Sequence, residues 1–143
     1  KHYGVSNLDL ADMRECWHAA GGNAIVTNQV LYNLSRRGME FYLLPWLREQ
    51  KITTMAYSPL EQARLLDNAD LQAVAKRAGI LPAQLALAWL LRSDDVIVIP
   101  KSGSAAHARD NAGARDVVLS ADVVAELDRL YPPPVRAQPL EML

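Results

Sequence analysis

This chain of 143 residues has one cysteine, almost no net charge and no long apolar run. Cys16 stands alone, so no internal disulfide forms, and its place in a helical pattern suits a reducing compartment, the cytoplasm. Lys and Arg number 15 against 16 Asp and Glu, a formal net charge of −1. That balance supports no broad attraction to nucleic acid or to an anionic membrane, so any basic function must be local. No apolar stretch reaches the roughly 18 residues that cross a bilayer, and no signal-peptide pattern opens the chain. The first residue is Lys1 rather than methionine, as expected of a processed or truncated chain. His2, His18 and His107 share no metal-ligand spacing and Cys16 is distant from two of them, so no metal is expected.

What is present is ordinary globular material. Half of the residues are apolar and 22% are charged, and the length suffices for one domain with a real core. Tyr3-Gly4-Val5 reads as a short strand closed by Ser6-Asn7. Asp9 can cap a helix in which Leu10, Met13 and Trp17 share a face, ending before Gly21-Gly22. A second strand, Ala24-Ile25-Val26, leads into Thr27-Asn28-Gln29-Val30. Ser35-Arg36-Arg37-Gly38 reads as a solvated loop, and a helix over about 40–50 turns Leu43, Leu44 and Leu47 inward.

The third strand covers 52–56 and exits at Tyr57-Ser58-Pro59. Two helices follow. Leu71, Val74, Ala75 and Ala78 line the first, which Gly79 stops; Pro82 opens the second, rich in buried positions from Leu85 to Leu91. The unbroken run Val96-Ile97-Val98-Ile99 predicts a parallel strand covered on both faces. A short helix over about 105–111 and a last one over about 121–131, with Ser120 as cap, complete the pattern. Trp17, Trp46 and Trp89 are expected in the helix-to-sheet core. The expected organisation is a unit over 1–131 and a surface tail over 132–143, begun by Pro132-Pro133-Pro134.

Alternating strands and helices imply right-handed crossovers and a parallel α/β sheet. Four such units make either half of an eight-stranded barrel or a small open, flavodoxin-like sheet, and periodicity alone does not separate them. In either case ligands sit at the carboxyl ends of the strands. Ser6, Asn7 and Gln29 are short uncharged donors and acceptors there, suited to a carboxamide. Asn28 and Gln29 read equally as groups that satisfy strand-end backbone. Tyr57 offers an aromatic face for a flat heterocycle. Lys101, Ser102 and the helix start behind them suit a phosphate. Together these groups describe a site for a nicotinamide dinucleotide.

In order and spacing, Gly4-Val5-Ser6-Asn7, Asn28-Gln29-Val30, Ala56-Tyr57-Ser58-Pro59-Leu60, 82–89 (PAQLALAW) and Ile99-Pro100-Lys101-Ser102 with Asn111 resemble the aldo-keto reductase superfamily. The likeness runs from about Lys1 to beyond Tyr131 and is strongest to bacterial, methylglyoxal-reductase-like members. It implies the C-terminal half, strands five to eight, of a (β/α)8 TIM barrel that reduces small aldehydes and ketones with NADPH. By position, Ser6, Asn7 and Gln29 would hold the nicotinamide carboxamide and Tyr57 would stack on the ring. Ser58 and Leu60 would lie along the pyrophosphate, Lys101 and Ser102 at the 2′-phosphate and Asn111 near the adenine. The family usually has Arg where this chain has His107, a weaker phosphate partner when neutral. Arg109, two residues on, either compensates or is surface charge. Leu81 replaces a hydroxyl residue that would cap the following helix.

The family's catalytic Tyr, Lys, Asp and His match no position here, so no catalytic residue is assigned and no turnover is expected from this chain alone. Three functions remain as expectations: the NADPH-holding part of a reductase, completed by an upstream half-barrel; a non-catalytic nucleotide-binding module; and a half-barrel that pairs with itself as a homodimer.

Overall fold

The computed structural model describes residues 2–143. Its order is β1 (Tyr3–Ser6), α1 (Leu10–His18), β2 (Ile25–Leu31), α2 (Leu43–Glu49), β3 (Thr53–Tyr57), α3 (Ala69–Ala78), α4 (Pro82–Leu91), β4 (Val96–Val98), α5 (Ala105–Gly113) and α6 (Ala121–Leu130). All neighbouring strands run parallel, and the sheet order is β1-β2-β3-β4. A sequential order contains no point where the strand order reverses. A flavodoxin-like arrangement requires such a reversal, so the open-sheet alternative is excluded and the half-barrel topology stands.

Local chemistry explains where the elements start and stop. Asp9 accepts from Ala11 N and Asp12 N, while Asp12 accepts from Asp9 N, a reciprocal cap on α1. Asn68, Ser104 and Ser120 cap α3, α5 and α6 with one bond each, accepting from Leu71 N, His107 N and Val123 N. Leu81 before α4 provides no side-chain cap, as its apolar side chain dictates. Gly79 ends α3 at φ 70°, a left-handed backbone that suits glycine. Gly4 answers a different need: a Cβ there would lie 2.4 Å from Thr27 Cγ2, so β1 reaches β2 only without a side chain.

Strand alternation divides the sheet into two unlike faces. Asn28, Val30, Thr54, Ala56 and Val96 are buried on the face that the helices cover. Met13, Leu47, Leu71, Leu85, Trp89 and Leu127 supply the other side of that core. Trp17 and Trp46 pack edge-to-face at its border, 6.0 Å between centroids, in agreement with their expected core role. The opposite face carries the row Ser6, Gln29, Met55 and Ile97. Here the expectation for the last strand fails: Ile97 is 46% and Ile99 40% exposed. β4 is an edge strand with helices on one face only, and a β-branched run reads the same whether one face or two is covered. The helix expected over 40–50 is also shorter. A 3₁₀ turn (Gly38–Glu40) and the extended φ of −133° at Tyr42 precede α2.

The solvated loop expected at Ser35-Arg36-Arg37 is a third correction. Arg37 is only 7% exposed. Its guanidinium donates to both carboxylate oxygens of Glu40 at 2.8 Å, to Asp128 at 2.7 Å and to the Tyr131 carbonyl at 2.5 Å. It also lies 4.8 Å from the centre of the Trp89 ring, with Arg92 at 4.0 Å. Glu40 accepts a further bond from the Tyr32 hydroxyl. Burial, and then the Glu40 charge, push the Tyr32 phenol above its usual range. The network ties β2, α4 and α6 together across more than 90 residues of sequence.

Removing one partner of a buried ion pair strands the other without compensation. Arg37→Ala should therefore lower unfolding stability by about 3–5 kcal/mol. Arg77, exposed and paired with Glu126, should cost under about 1 kcal/mol when replaced by Ala. Urea denaturation of the two variants checks the contrast.

Candidate functional site

The exits of β3 and β4 enclose a largely apolar cavity of about 880 Å³. Tyr57, Ser58 and Leu60 form one wall; Lys101, Ser102 and Asn111 form another. Six of the residues expected at a dinucleotide site are therefore brought together. Lys101 arches over Gly103, its Nζ 3.6 Å from where a Cβ of that glycine would stand. Ser102 Oγ donates to the Ser104 carbonyl, and Ser104 Oγ in turn caps α5 by accepting from His107 N. The turn between β4 and α5 is thus held by its own hydroxyls.

Arg109 does not line this cavity, whereas His107 and Asp110 do. Two residues along a helix is about 200° of rotation, so Arg109 and His107 point in different directions from α5. Position 107 is the one that faces the site. The start of α4 contributes Leu81, Pro82 and Ala83, so the residue read only as a lost helix cap also forms part of the apolar wall.

Ser6, Asn7 and Gln29 cluster separately, at the exits of β1 and β2. The Gln29 carbonyl accepts from Ser6 Oγ at 3.0 Å and from Asn7 N at 2.8 Å. The Asn7 backbone is left-handed, φ 55°, and its Oδ1 is buried without a donor. Asn28 has the structural role: it points to the helix-covered face and its Nδ2 donates to the Leu8 carbonyl at 2.8 Å. Gln29, next in the strand, presents its side chain on the open face beside Ser6. Among the described residues, no three His, Cys, Asp or Glu side chains gather as a metal-ligand set.

The loop after Tyr57 is held by a device that the sequence did not reveal. Ser58, Glu61, Gln62 and Ala63 have φ values of 46°, 50°, 55° and 73°. Left-handed backbone costs about 1–2 kcal/mol for each such residue, so something must hold this loop in place. That something is Glu61, 5% exposed. Asn33 Nδ2 donates to its Oε2 at 2.7 Å. Its Oε1 receives Arg36 Nε at 3.1 Å, Arg36 Nη2 at 2.9 Å and Arg64 Nη2 at 2.8 Å. Asn33 Nδ2 also reaches the Ser58 carbonyl at 2.9 Å, which fixes both ends of the turn. Burial alone would raise the Glu61 carboxyl, but the bonds from Arg36, Asn33 and Arg64 prevail and hold it below the usual carboxylate range. Glu61 did not stand out in the sequence, because Glu-Gln-Ala carries none of the Gly or Asn signals of left-handed turns, and its partner Arg36 read as part of a solvated loop.

Comparison with known proteins agrees with this fold. Residues 1–132 match the Aldo/keto reductase family. Over the whole chain, 45% of residues are identical to the methylglyoxal reductase YeaE of Escherichia coli, of which the match covers 52%. Pyridoxine 4-dehydrogenase of the same organism is 35% identical over 90% of this chain and 44% of its own length. An aldo-keto reductase from Klebsiella pneumoniae, solved in complex with NADPH, superposes with a TM-score of 0.95 at 48% identity. That match covers 99% of this chain and 52% of the Klebsiella chain. The chain spans about half the length of the relatives it matches.

The clamp has a pH signature. A carboxyl whose native pKa is depressed adds stability above its unfolded pKa of about 4.3, and loses it as pH falls through the native value. Stability should therefore decline on acidification below about pH 5, and this part of the decline should be absent in Glu61→Gln. That variant should be less stable at pH 7 but less sensitive to acid. Urea midpoints between pH 7 and pH 3 give the comparison.

Proposed function

The chain belongs to the aldo/keto reductase family, and on that premise we propose that it is the NADPH-holding half of a carbonyl-reducing oxidoreductase. The observation that carries this reading is the convergence of Tyr57, Ser58, Leu60, Lys101, Ser102 and Asn111 on one cavity at parallel strand exits. The unpartnered Asn7 Oδ1 fits the same reading, since a carboxamide N–H₂ supplies the donor it lacks. A cavity of about 880 Å³ has room for a large part of a dinucleotide.

In this reading Ser6, Asn7 and Gln29 fix the carboxamide end, and Tyr57 provides the face against the ring. Ser58 and Leu60 follow the pyrophosphate; Lys101 and Ser102 meet the 2′-phosphate; Asn111 borders the adenine. His107 takes the place read for Arg109, because it faces the cavity. NADPH bound there supplies a hydride for a small aldehyde or ketone. The chain's own residues orient and shield the cofactor; the acid that protonates the carbonyl oxygen is not assigned to any of them. The half-buried lone Cys16 suits a reducing cytoplasm.

The open face supports the accompanying partner. Among the described residues β1 and β4 are the edge strands of the sheet, and in the row Ser6, Gln29, Met55 and Ile97 the two end residues are exposed and the two middle ones half-buried. Such a surface is satisfied by a further half-barrel. We take this to be an upstream half; a second copy of the chain is the other reading, supported by the same two free edges.

Dinucleotide titration tests the function. The chain should bind NADPH more tightly than NADH. Lys101→Ala should weaken NADPH by about 10- to 100-fold, the value of a hydrogen bond to a charged group, and leave NADH nearly unchanged. His107→Arg should widen the preference. Binding of neither dinucleotide, or an equal loss for both in Lys101→Ala, contradicts the reading.

A further inference from the structure

The segment after α6 leaves the body and comes back to it. It starts at Tyr131-Pro132-Pro133-Pro134 and contains no helix or strand. Its middle stands off: Val135 is 91% exposed, and a hollow of about 440 Å³ separates the segment from residues 34–38. Its last residues return to the site. Leu140 packs against the core, and Leu143 N lies 3.4 Å from the Tyr57 hydroxyl. Between them, Glu141 Oε1 accepts from Arg36 Nη1 at 2.6 Å. The same guanidinium grips Glu61 through Nε and Nη2. The arginine that secures the left-handed loop is thus shared with the tail.

We propose that Glu141 is a positioning residue for the cofactor loop, acting through Arg36 on Glu61, so that the tail's seating and the grip on the dinucleotide strengthen one another. The Arg36 side chain is about a third exposed, and a long side chain in that setting visits other rotamers unless more than one partner holds it. Glu141 anchors its third donor. With that anchor, Nε and Nη2 stay on Glu61, and residues 58–63 keep the backbone that lines the cavity. Coupling between two sites is reciprocal, so whatever orders the loop also holds the tail. The functional consequence rests on the reading that this cavity takes NADPH; the link between tail and loop does not.

Amide hydrogen exchange of the chain without nucleotide tests that link, with Glu141→Gln, Glu141→Asp and, as the control in the exposed part of the tail, Val135→Ala. Exchange at Glu61, Gln62 and Ala63 should quicken about two- to fivefold in Glu141→Gln, the value of a partly exposed ion pair. Glu141→Asp should restore part of the protection and Val135→Ala should leave it unchanged. Unchanged exchange in Glu141→Gln, or equal loosening by Val135→Ala, overturns the proposal. NADPH titration then reads the consequence: Glu141→Gln should raise Kd by a similar factor. Wild type binding NADPH with no change in Glu141→Gln refutes the coupling to the cofactor. Faster exchange in Glu141→Gln with no NADPH binding by wild type upholds the tail–loop link and refutes the NADPH reading.

Discussion

Withdrawing a carboxylate from water costs several kcal/mol unless donors replace the lost hydration, and Glu61 meets that condition with three side chains from two loops. Asn33 and Arg36 stand three residues apart in the loop after β2, and Arg64 lies in Glu61's own loop after β3. The arrangement draws the exits of two neighbouring strands together and fixes a run of backbone that would not hold its left-handed shape alone. Tyr57, Ser58, Leu60, Gln62 and Ala63 acquire their positions on the cavity wall through it. A satisfied buried charge is therefore a constraint on shape here more than a source of stability.

That constraint operates on a sheet whose topology has already gathered the right residues. Four parallel strands in sequential order point every exit the same way, so groups up to about a hundred residues apart share one end of the molecule. Helices bury one face around Trp89 and leave the other with the polar Ser6 and Gln29 on one side and the apolar Met55 and Ile97 on the other. The buried Arg37 network does for α6 what Glu61 does for the loop: it ties distant segments to β2 through directional bonds. Two adjacent arginines thus serve opposite ends, Arg37 the core and Arg36 the site.

The strand and helix pattern was legible because it depends on local signals. Asp9, Asn68, Ser104 and Ser120 cap where short polar residues meet apolar periodicity, and Gly79 ends α3 because its backbone is left-handed. Most of the candidate site was legible too, since Tyr57, Lys101, Ser102 and Asn111 sit in spaced motifs. What escaped depends on partners remote in sequence. Arg36 and Arg37 read as solvated because, apart from Glu40 beside Arg37, their acids lie 25, 91 and 105 residues away. Ile97 read as buried because composition does not tell how many faces of a strand are covered. Arg109 and His107 were separable only by helix rotation, which requires the exact start of α5.

The central claim is that the β3 and β4 exits, together with Ser6 and Asn7, form one dinucleotide site. A ¹H–¹⁵N spectrum of the chain titrated with NADPH tests it most directly. Shifts are expected only at the amides of Ser6, Asn7, residues 57–63 and residues 101–111, saturating together along one binding curve. Shifts at the β3 and β4 exits without Ser6 and Asn7, shifts centred elsewhere, or none at all, would contradict it.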